Sequence, residues 1–351
     1  MHNSRRDAAM FVIRPAKLED IEALKEFAEN AALGIISLPK NPELLKKKIA
    51  FSLSCFDKQV QNPGNEIYCF VLENLETGEV GGCCAIYAKT GIKEPVYIYR
   101  LETSYPSSKT LPVPCQITVL KPMKLSEGPA ELSMLFLKKE WRKEKLGELL
   151  SLSRFLFIAN HKHRIETTIC ARLRGVVDSK KNTSPFWDGI GRHFVAIDFS
   201  KVCELQQEDY PYIEEFLPRF PIYTHLLSKQ VQAMIGRIHE TTRPALHMLK
   251  KEGMSLSSDI DLFDGGPILQ GDISTIRTVV KSRRTTVAKV DTVPINSPLF
   301  LISNCLLDFR CCFARALFKE REGITLAYED AKALQVSPGD DVRFIPNKLQ
   351  E

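Results

Sequence analysis

Residues 131 to 157, ELSMLFLKKEWRKEKLGELLSLSRFLF, constrain this chain more than any other stretch. The apolar run from Leu132 to Leu137 reads as a buried strand, Lys138 to Lys145 as a basic turn, and Gly147 as the opening of a helix with apolar periodicity. A strand that feeds a cationic turn, a glycine and a helix start is a way to hold a diphosphate. The first N–H groups of a helix have no carbonyl partner of their own, and the helix dipole adds positive potential there. Arg142 and Lys143 bring mobile positive charge to the same place. The segment predicts a nucleotide-like cofactor that carries a diphosphate.

The rest of the composition narrows the class. The chain has 351 residues, 44% hydrophobic and 26% charged, which suffices for two or three packed units. Its net charge of +5 is mild, and no basic stripe with interleaved aromatics points to nucleic acid. Lys46-Lys47-Lys48 reads as the solvated face of a helix. No apolar run reaches the roughly 18 residues of a membrane helix, and the opening MHNSRRDAAM lacks the apolar centre of a secretory signal. Residues 1–9 read as a disordered tail or an alternative start. The ten cysteines contain no C-x-x-C pair, so no zinc ribbon or thioredoxin-like site is expected, only reduced cysteines packed in a cytosolic protein.

Elements follow from periodicity and turn chemistry. Residues 10–15 read as a strand, 18–32 and 42–56 as helices, and 66–73 and 80–89 as a hairpin across Glu76-Thr77-Gly78-Glu79. Residues 95–119 read as further strand with Pro-rich loops, 167–177 and 194–199 as strands, and Ser184 as the start of a short helix ending at Gly191. Residues 201–275 look mainly helical, with helices at 228–238 and 242–252, His239 in the joint and Gly253 as the stop. Residues 276–351 are rich in β-branched residues and read as a small β subdomain with one helix, 328–334.

The segment 131–157 also resembles the acyl-CoA N-acyltransferase (GNAT) superfamily. That superfamily carries [QR]-x-x-G-x-[GA] between its fourth strand and third helix, and Arg142 and Gly147 fill the outer positions. Longer strings are similar to the bacterial arginine N-succinyltransferases and their arginine/ornithine-specific relatives. They are ISLP at 36–39, FVLEN and TGEV within 70–80, YIYR at 97–100, WRKE at 141–144, LLSLSRFLFIA at 149–159 and RGVVD at 174–178. The series continues in family order with SPFW at 184–187, PIYTHLLS at 221–228, IGRIH at 235–239, PALHMLKKEGM at 244–254, IDLFDGGP at 260–267 and IRTVVKSR at 276–283.

The resemblance implies an α+β fold: a GNAT-like mixed sheet flanked by helices at 10–200, a helical segment at 201–275 completing the active site, and an extra C-terminal β-rich subdomain at 276–351. It implies a cytoplasmic enzyme, often part of a homo- or hetero-oligomer, that moves a succinyl group from succinyl-CoA to the α-amine of arginine. Succinyl-CoA enters as co-substrate, with no permanently bound cofactor and no metal. By position, the family's acyl-CoA-binding leucine falls on Leu135 and its proton-donating histidine on His239. Arg142, Lys143 and Gly147 complete the cofactor side.

Histidine suits the reaction, because the attacking amine must lose a proton and the leaving thiolate takes one, and an ordinary imidazole titrates near 6.5. Taken alone, without the resemblance, His239 reads first as a helix-terminal histidine satisfied by backbone. His225 reads as a hydrogen-bonded core residue, and His161 and His163 as a surface loop. Arg100, Arg172 and Arg174 are each candidates for the succinyl carboxylate. Asp264 reads either as a partner of the acceptor's guanidinium or as the brace of a Gly-Gly turn. Three departures from the family pattern stand out. Lys145 replaces a glycine, which is harmless if its φ is ordinary; Arg172 replaces the glutamate of E-M-R-G; and 178–183 lacks a glycine. They leave open an acyltransferase with another amine acceptor, or a non-catalytic acyl-CoA-binding paralogue.

Overall fold

The computed structural model of the protein describes residues 11–107, 110, 116–142, 145–178, 180–207, 213–216 and 218–347. The stretch 1–9 and the cofactor candidate Lys143 lie outside the described residues. Ten strands precede the C-terminal part: β1 (Phe11–Pro15), β2 (Ile67–Asn74), β3 (Val80–Tyr87), β4 (Val96–Ser104), β5 (Ile117–Leu125), β6 (Ala130–Leu137), β7 (Thr168–Arg172), β8 (Ile222–Tyr223), β9 (Ser255–Asp261) and β10 (Pro267–Asp272). Five follow: β11 (Arg283–Val290), β12 (Leu299–Asn304), β13 (Cys311–Lys319), β14 (Gly323–Leu326) and β15 (Asp341–Pro346). The helices are α1 (Ile21–Asn30), α2 (Pro42–Asp57), α3 (Leu146–Asn160), α4 (Pro185–Gly189), α5 (Phe199–Leu205), α6 (Ile213–Phe216), α7 (Lys229–Gln232), α8 (Arg243–Lys251), α9 (Arg277–Lys281) and α10 (Tyr328–Leu334).

The strands form one mixed ladder in the order β12-β15-β11-β14-β13-β1-β2-β3-β6-β7-β10-β9-β4-β5-β8. Because β12 also pairs with β13, strands β11–β15 close on themselves as a barrel. Its interior is filled by Phe300, Ile302, Leu326 and Phe344, with Leu334 of α10 in the same cluster. The barrel joins the main sheet where Ile13 of β1 pairs with Cys311 of β13.

Helix α3 is the central wedge. Every residue from Leu149 to Ala159 is buried, against strands of the main sheet and of the barrel. A helix apolar on all sides belongs inside a core. The rings of Phe70, Phe157 and Phe309 tie sheet, helix and barrel together, with centroids 5.1 and 5.4 Å apart around Phe157.

Three stretches differ from the sequence reading. Residues 201–275 are not mainly helical: they contain the β9–β10 hairpin, which sits in the sheet between β7 and β4. Strand β9 reads SLSSDID and buries Asp259 beside Ile260, so it shows no apolar alternation. Residues 194–198 form turns rather than a strand, held by the Trp187 indole, whose Nε1 donates to the Ile197 carbonyl at 2.9 Å, and Phe199 already opens α5. The helix expected over 228–238 stops at Gln232. Gly236 has φ +67, and its N–H donates to the Gly265 carbonyl at 2.9 Å instead of continuing a helix.

Candidate active site

The site begins with a break in the sheet. Strands β6 and β7 run parallel and pair only at Ala130 with Ile169 and Glu131 with Cys170. Beyond that point the edge of β6 that would face β7 has no strand partner among the described residues. On its other edge β6 is bulged: Cys83 pairs with Phe136 and Ala85 with Ser133, so Met134 and Leu135 together oppose Cys84. Met134 sits at φ +53, a left-handed conformation costing a side-chain-bearing residue on the order of 1–3 kcal/mol. Its side chain is buried, and its carbonyl accepts from the Cys83 thiol at 3.3 Å. Such a bulge redirects the N–H and C=O groups of Met134 and Leu135 out of the regular ladder.

The basic turn comes next. Trp141 is pinned against β3, where a Cβ on Gly81 would lie 2.1 Å from its ring, and edge-on to Phe11 at 5.0 Å. Arg142 is exposed and folds back so that Nε donates to the Leu137 carbonyl at 3.2 Å. Lys145 caps α3 from the left-handed region, φ 61 and ψ 18. Its backbone is therefore not ordinary: the turn requires the conformation a glycine adopts freely, and lysine holds it at a cost of about 1–2 kcal/mol. The Lys145 carbonyl accepts from the N–H groups of Glu148 and Leu149, both at 2.9 Å. The N–H groups of Leu146 and Gly147 have no intrahelical acceptor. A Cβ on Gly147 would meet only Leu137, at 3.7 Å, so packing does not demand the glycine there and the space lies open to a ligand.

His239 lies one residue before the 3-10 turn that leads into α8. Its backbone N–H donates to the Arg174 carbonyl at 2.9 Å, and Ile238 forms an antiparallel bridge with Gly175. Its Nδ1 lies 2.8 Å from Thr241 Oγ1 and 3.2 Å from the Thr241 N–H. Burial, and then the Arg174 cation, lower its pKa. Leu135, Arg142, Lys145, Gly147, Arg174 and His239 all line one open cleft of about 1510 Å3.

The family profile for the arginine N-succinyltransferase beta subunit matches residues 11–278, and the profile for its C-terminal domain matches residues 283–346. The chain belongs to the arginine N-succinyltransferase family. Arginine N-succinyltransferases of Salmonella schwarzengrund (strain CVM19633) and Salmonella agona (strain SL483) are each 39% identical to it over 340 residues, spanning 96% of this chain and 97% of the relative. The solved structure of arginine/ornithine succinyltransferase subunit AI from Pseudomonas aeruginosa matches with a TM-score of 0.87 at 30% identity, covering 96% of this chain and 98% of that one.

In this arginine N-succinyltransferase family member the other candidates part company. Arg100 is held bidentate by Asp259, at 2.7 and 3.0 Å, and is not among the residues of the cleft wall. Arg172 lines the cleft and pairs with Glu131 at 3.1 Å. Asp264 is buried and braces the turn: Oδ1 accepts from Gly266 N–H and Oδ2 from Gly175 N–H, each at 2.8 Å. Burial, with the nearby Asp261 charge, pushes its pKa up to about 7.

Two histidine readings are reversed. His225 is exposed beside equally exposed Tyr223 and Leu226, because the apolar string PIYTHLL runs along the outermost strand. His161 is buried, its ring tilted against that of Phe157, with Nε2 3.3 Å from the Leu306 carbonyl and its pKa lowered to about 4 by burial.

Sequence reasoning missed Thr241, Met134 and Arg154 as cleft residues. Arg154 alone left a signal, as a single cation inside the apolar string LLSLSRFLFIA.

Among the described residues no helix is long and apolar enough to cross a membrane, and no group of three metal-ligating side chains is assembled.

Proposed function

We propose that this family member transfers the succinyl group of succinyl-CoA to the α-amine of L-arginine, the entry step of the succinyl route of arginine degradation, in the cytoplasm. The observation that carries the reading is that an open helix start, a bulged strand and a histidine share one cleft. The naming of the Salmonella relatives supplies the acyl group and the acceptor.

Coenzyme A is placed in the GNAT-like manner. Its diphosphate meets the N–H groups of Leu146 and Gly147, with Arg142 alongside. Its amide-bearing arm adds to the edge of β6 that β7 leaves unpaired, as an extended peptide adds to a sheet edge. The thioester oxygen reaches a backbone N–H at Leu135 in the bulge. One such donor, aimed at the developing oxyanion, is worth roughly 10²–10³-fold in rate. Arg172, the basic departure from the family string, has its charge met by Glu131, with Asp261 nearby. It therefore does not turn the cleft against a cationic acceptor.

His239 serves the proton. Thr241 offers Nδ1 a hydroxyl that accepts an N–H and a backbone N–H that donates to a lone pair, so the ring is held in either tautomer. With Nδ1–H on the hydroxyl, Nε2 carries the lone pair and takes a proton from the amine as nitrogen attacks the carbonyl carbon. The tetrahedral adduct then collapses, the C–S bond breaks, and Nε2–H returns the proton to sulfur. Help of this kind contributes about 10²–10⁴-fold. The naming of the Pseudomonas relative as a subunit supports a homo- or hetero-oligomeric assembly.

A thiol-release assay with succinyl-CoA against arginine, ornithine, lysine and agmatine tests the reading. Arginine should give the highest kcat/KM, and His239→Ala should lose about 10²–10⁴-fold in kcat while binding CoA normally. Full activity in that variant removes His239 from the reaction. Tight CoA binding with no turnover on any amine sinks the enzymatic reading in favour of an acyl-CoA-binding regulator.

A further inference from the structure

Arg154 is the charge that the core does not explain. It lies on α3, is 2% exposed, and is among the largest fully buried side chains. Its recorded hydrogen bonds stay on its own helix: Nε donates to the Ser151 carbonyl at 3.2 Å and Nη2 to Ser151 Oγ at 3.1 Å. Among the described residues no carboxylate pairs with it, and the only ionisable neighbour acting on it is the Cys84 thiol. Two other buried arginines, Arg14 and Arg164, are treated differently. Arg14 sits between Asp20 and Glu73, at 2.7 and 2.6 Å, and Arg164 gives its guanidinium to the Cys55 and Lys58 carbonyls and the Tyr68 hydroxyl. A guanidinium has five N–H donors and strongly prefers a carboxylate fork. Burial without an anion lowers its pKa, a desolvation that an arriving carboxylate would offset.

Its position says which anion. Leu146, Gly147, Leu150 and Arg154 all line the cleft, a spacing that puts them on one face of α3. Arg154 lies seven residues, about 10 Å, along the helix from Gly147. Cys84, its neighbour, is the residue across from the Met134–Leu135 bulge. Arg154 therefore stands behind the point where the thioester carbonyl is placed, on the donor side of the cleft. A succinyl group carries its free carboxylate three carbon–carbon bonds beyond that carbonyl. The alternatives fit less well, since Asp259 holds Arg100, Glu131 pairs with Arg172, and Arg174 lies beside His239 on the acceptor side.

We propose that Arg154 receives the free carboxylate of the donor acyl group, so that the cleft selects the CoA thioester of a dicarboxylic acid over a neutral one of equal length. This rests on the acyl-transfer reading above.

The test compares succinyl-CoA with butyryl-CoA, which has the same four-carbon chain without the carboxylate. Both kcat/KM and the thioester Kd, from tryptophan fluorescence, are measured for wild type, Arg154→Met and Arg154→Lys. Wild type should favour succinyl-CoA. Arg154→Met should lose on the order of 100-fold with succinyl-CoA and keep or gain activity with butyryl-CoA. Its Tm should be unchanged or higher, because an apolar side chain replaces an unpaired buried charge. An unchanged succinyl-to-butyryl ratio in Arg154→Met, or equal loss with both donors, overturns the proposal. If the methionine variant does not fold, Arg154→Lys decides: it keeps the charge but not the fork, and its loss should fall on succinyl-CoA alone. Wild type inert with both donors refutes acyl transfer itself. The Kd ratio of the two thioesters then still judges Arg154.

Discussion

Substituting alanine for Gly175 tests whether the turn at 264–266 fixes His239, the proposed proton carrier. Gly175 donates its N–H to Asp264 Oδ2 at 2.8 Å and bridges to Ile238, while the preceding carbonyl, of Arg174, accepts from His239 N–H at 2.9 Å. A Cβ on Gly175 would lie 2.3 Å from the Asp264 carbonyl oxygen and 2.8 Å from the Gly266 nitrogen. Both are backbone atoms, so no side-chain rotation relieves the clash. Restoring ordinary contact moves the 174–175 segment by about 1 Å, and a misplacement of that size costs roughly 100-fold in rate. The strain should destabilise the fold by about 1–3 kcal/mol, offset by roughly 0.4–1 kcal/mol from a stiffer unfolded chain. Arg142 and Lys145–Gly147, proposed above to meet the diphosphate, belong to other elements, so CoA affinity should hold. Steady-state kinetics, CoA titration and a urea melt of Gly175→Ala read all three. A variant with wild-type kcat would refute the reasoning, as would one that loses CoA binding while turnover survives.

Three further outcomes follow from the geometry. Lys145→Gly relieves a left-handed lysine worth about 1–2 kcal/mol against glycine's own backbone cost of roughly 0.5–1 kcal/mol, so the urea midpoint should rise slightly with m unchanged; a fall would contradict the strained turn. Arg174→Gln removes a cation that lowers the His239 pKa, so in NMR titrations the ring should titrate closer to 6.5 than in wild type; no movement would show that the two do not communicate. His161 is buried neutral with its pKa lowered to about 4, so its contribution is present above pH 6.5 and lost as pH falls toward 4. That loss is about 3 kcal/mol, and in His161→Gln the difference in unfolding free energy between pH 7 and pH 4.5 should shrink by a comparable amount.

How much of this was legible depended on whether the signal was local. The run Leu132–Leu137 became β6, the Thr77-Gly78 turn joined β2 to β3, and Tyr328–Leu334 became α10, because apolar spacing and turn residues act over a few neighbours. The stop at Gly253, with φ +99, was readable for the same reason; the joint at His239 was half right, because a 3-10 turn and α8 follow it but the helix expected before it stops at Gln232. The bulge at Met134 was not, since no glycine or asparagine marks it and its conformation is imposed by pairing with β3. Strand β9 was hidden because its neighbours in the sheet, not its own alternation, decide its place. His161 and His225 were exchanged between inside and outside because burial depends on what packs from elsewhere: Leu306 and Phe157 cover one, and nothing described covers the other.

The sequence by itself determined the family, the strand–turn–helix at 131–157, and the helical turn that follows His239, since each is written in contiguous residues. Only the tertiary structure decided that Leu135, Gly147 and His239 share one cleft, that Lys145 holds a glycine's conformation, and that Arg154 lies desolvated with no carboxylate partner among the described residues. The physical reason is one of range. Propensity and capping are set by residues three or four apart, whereas desolvation, charge pairing and cleft shape are set by segments that meet only after the chain has packed.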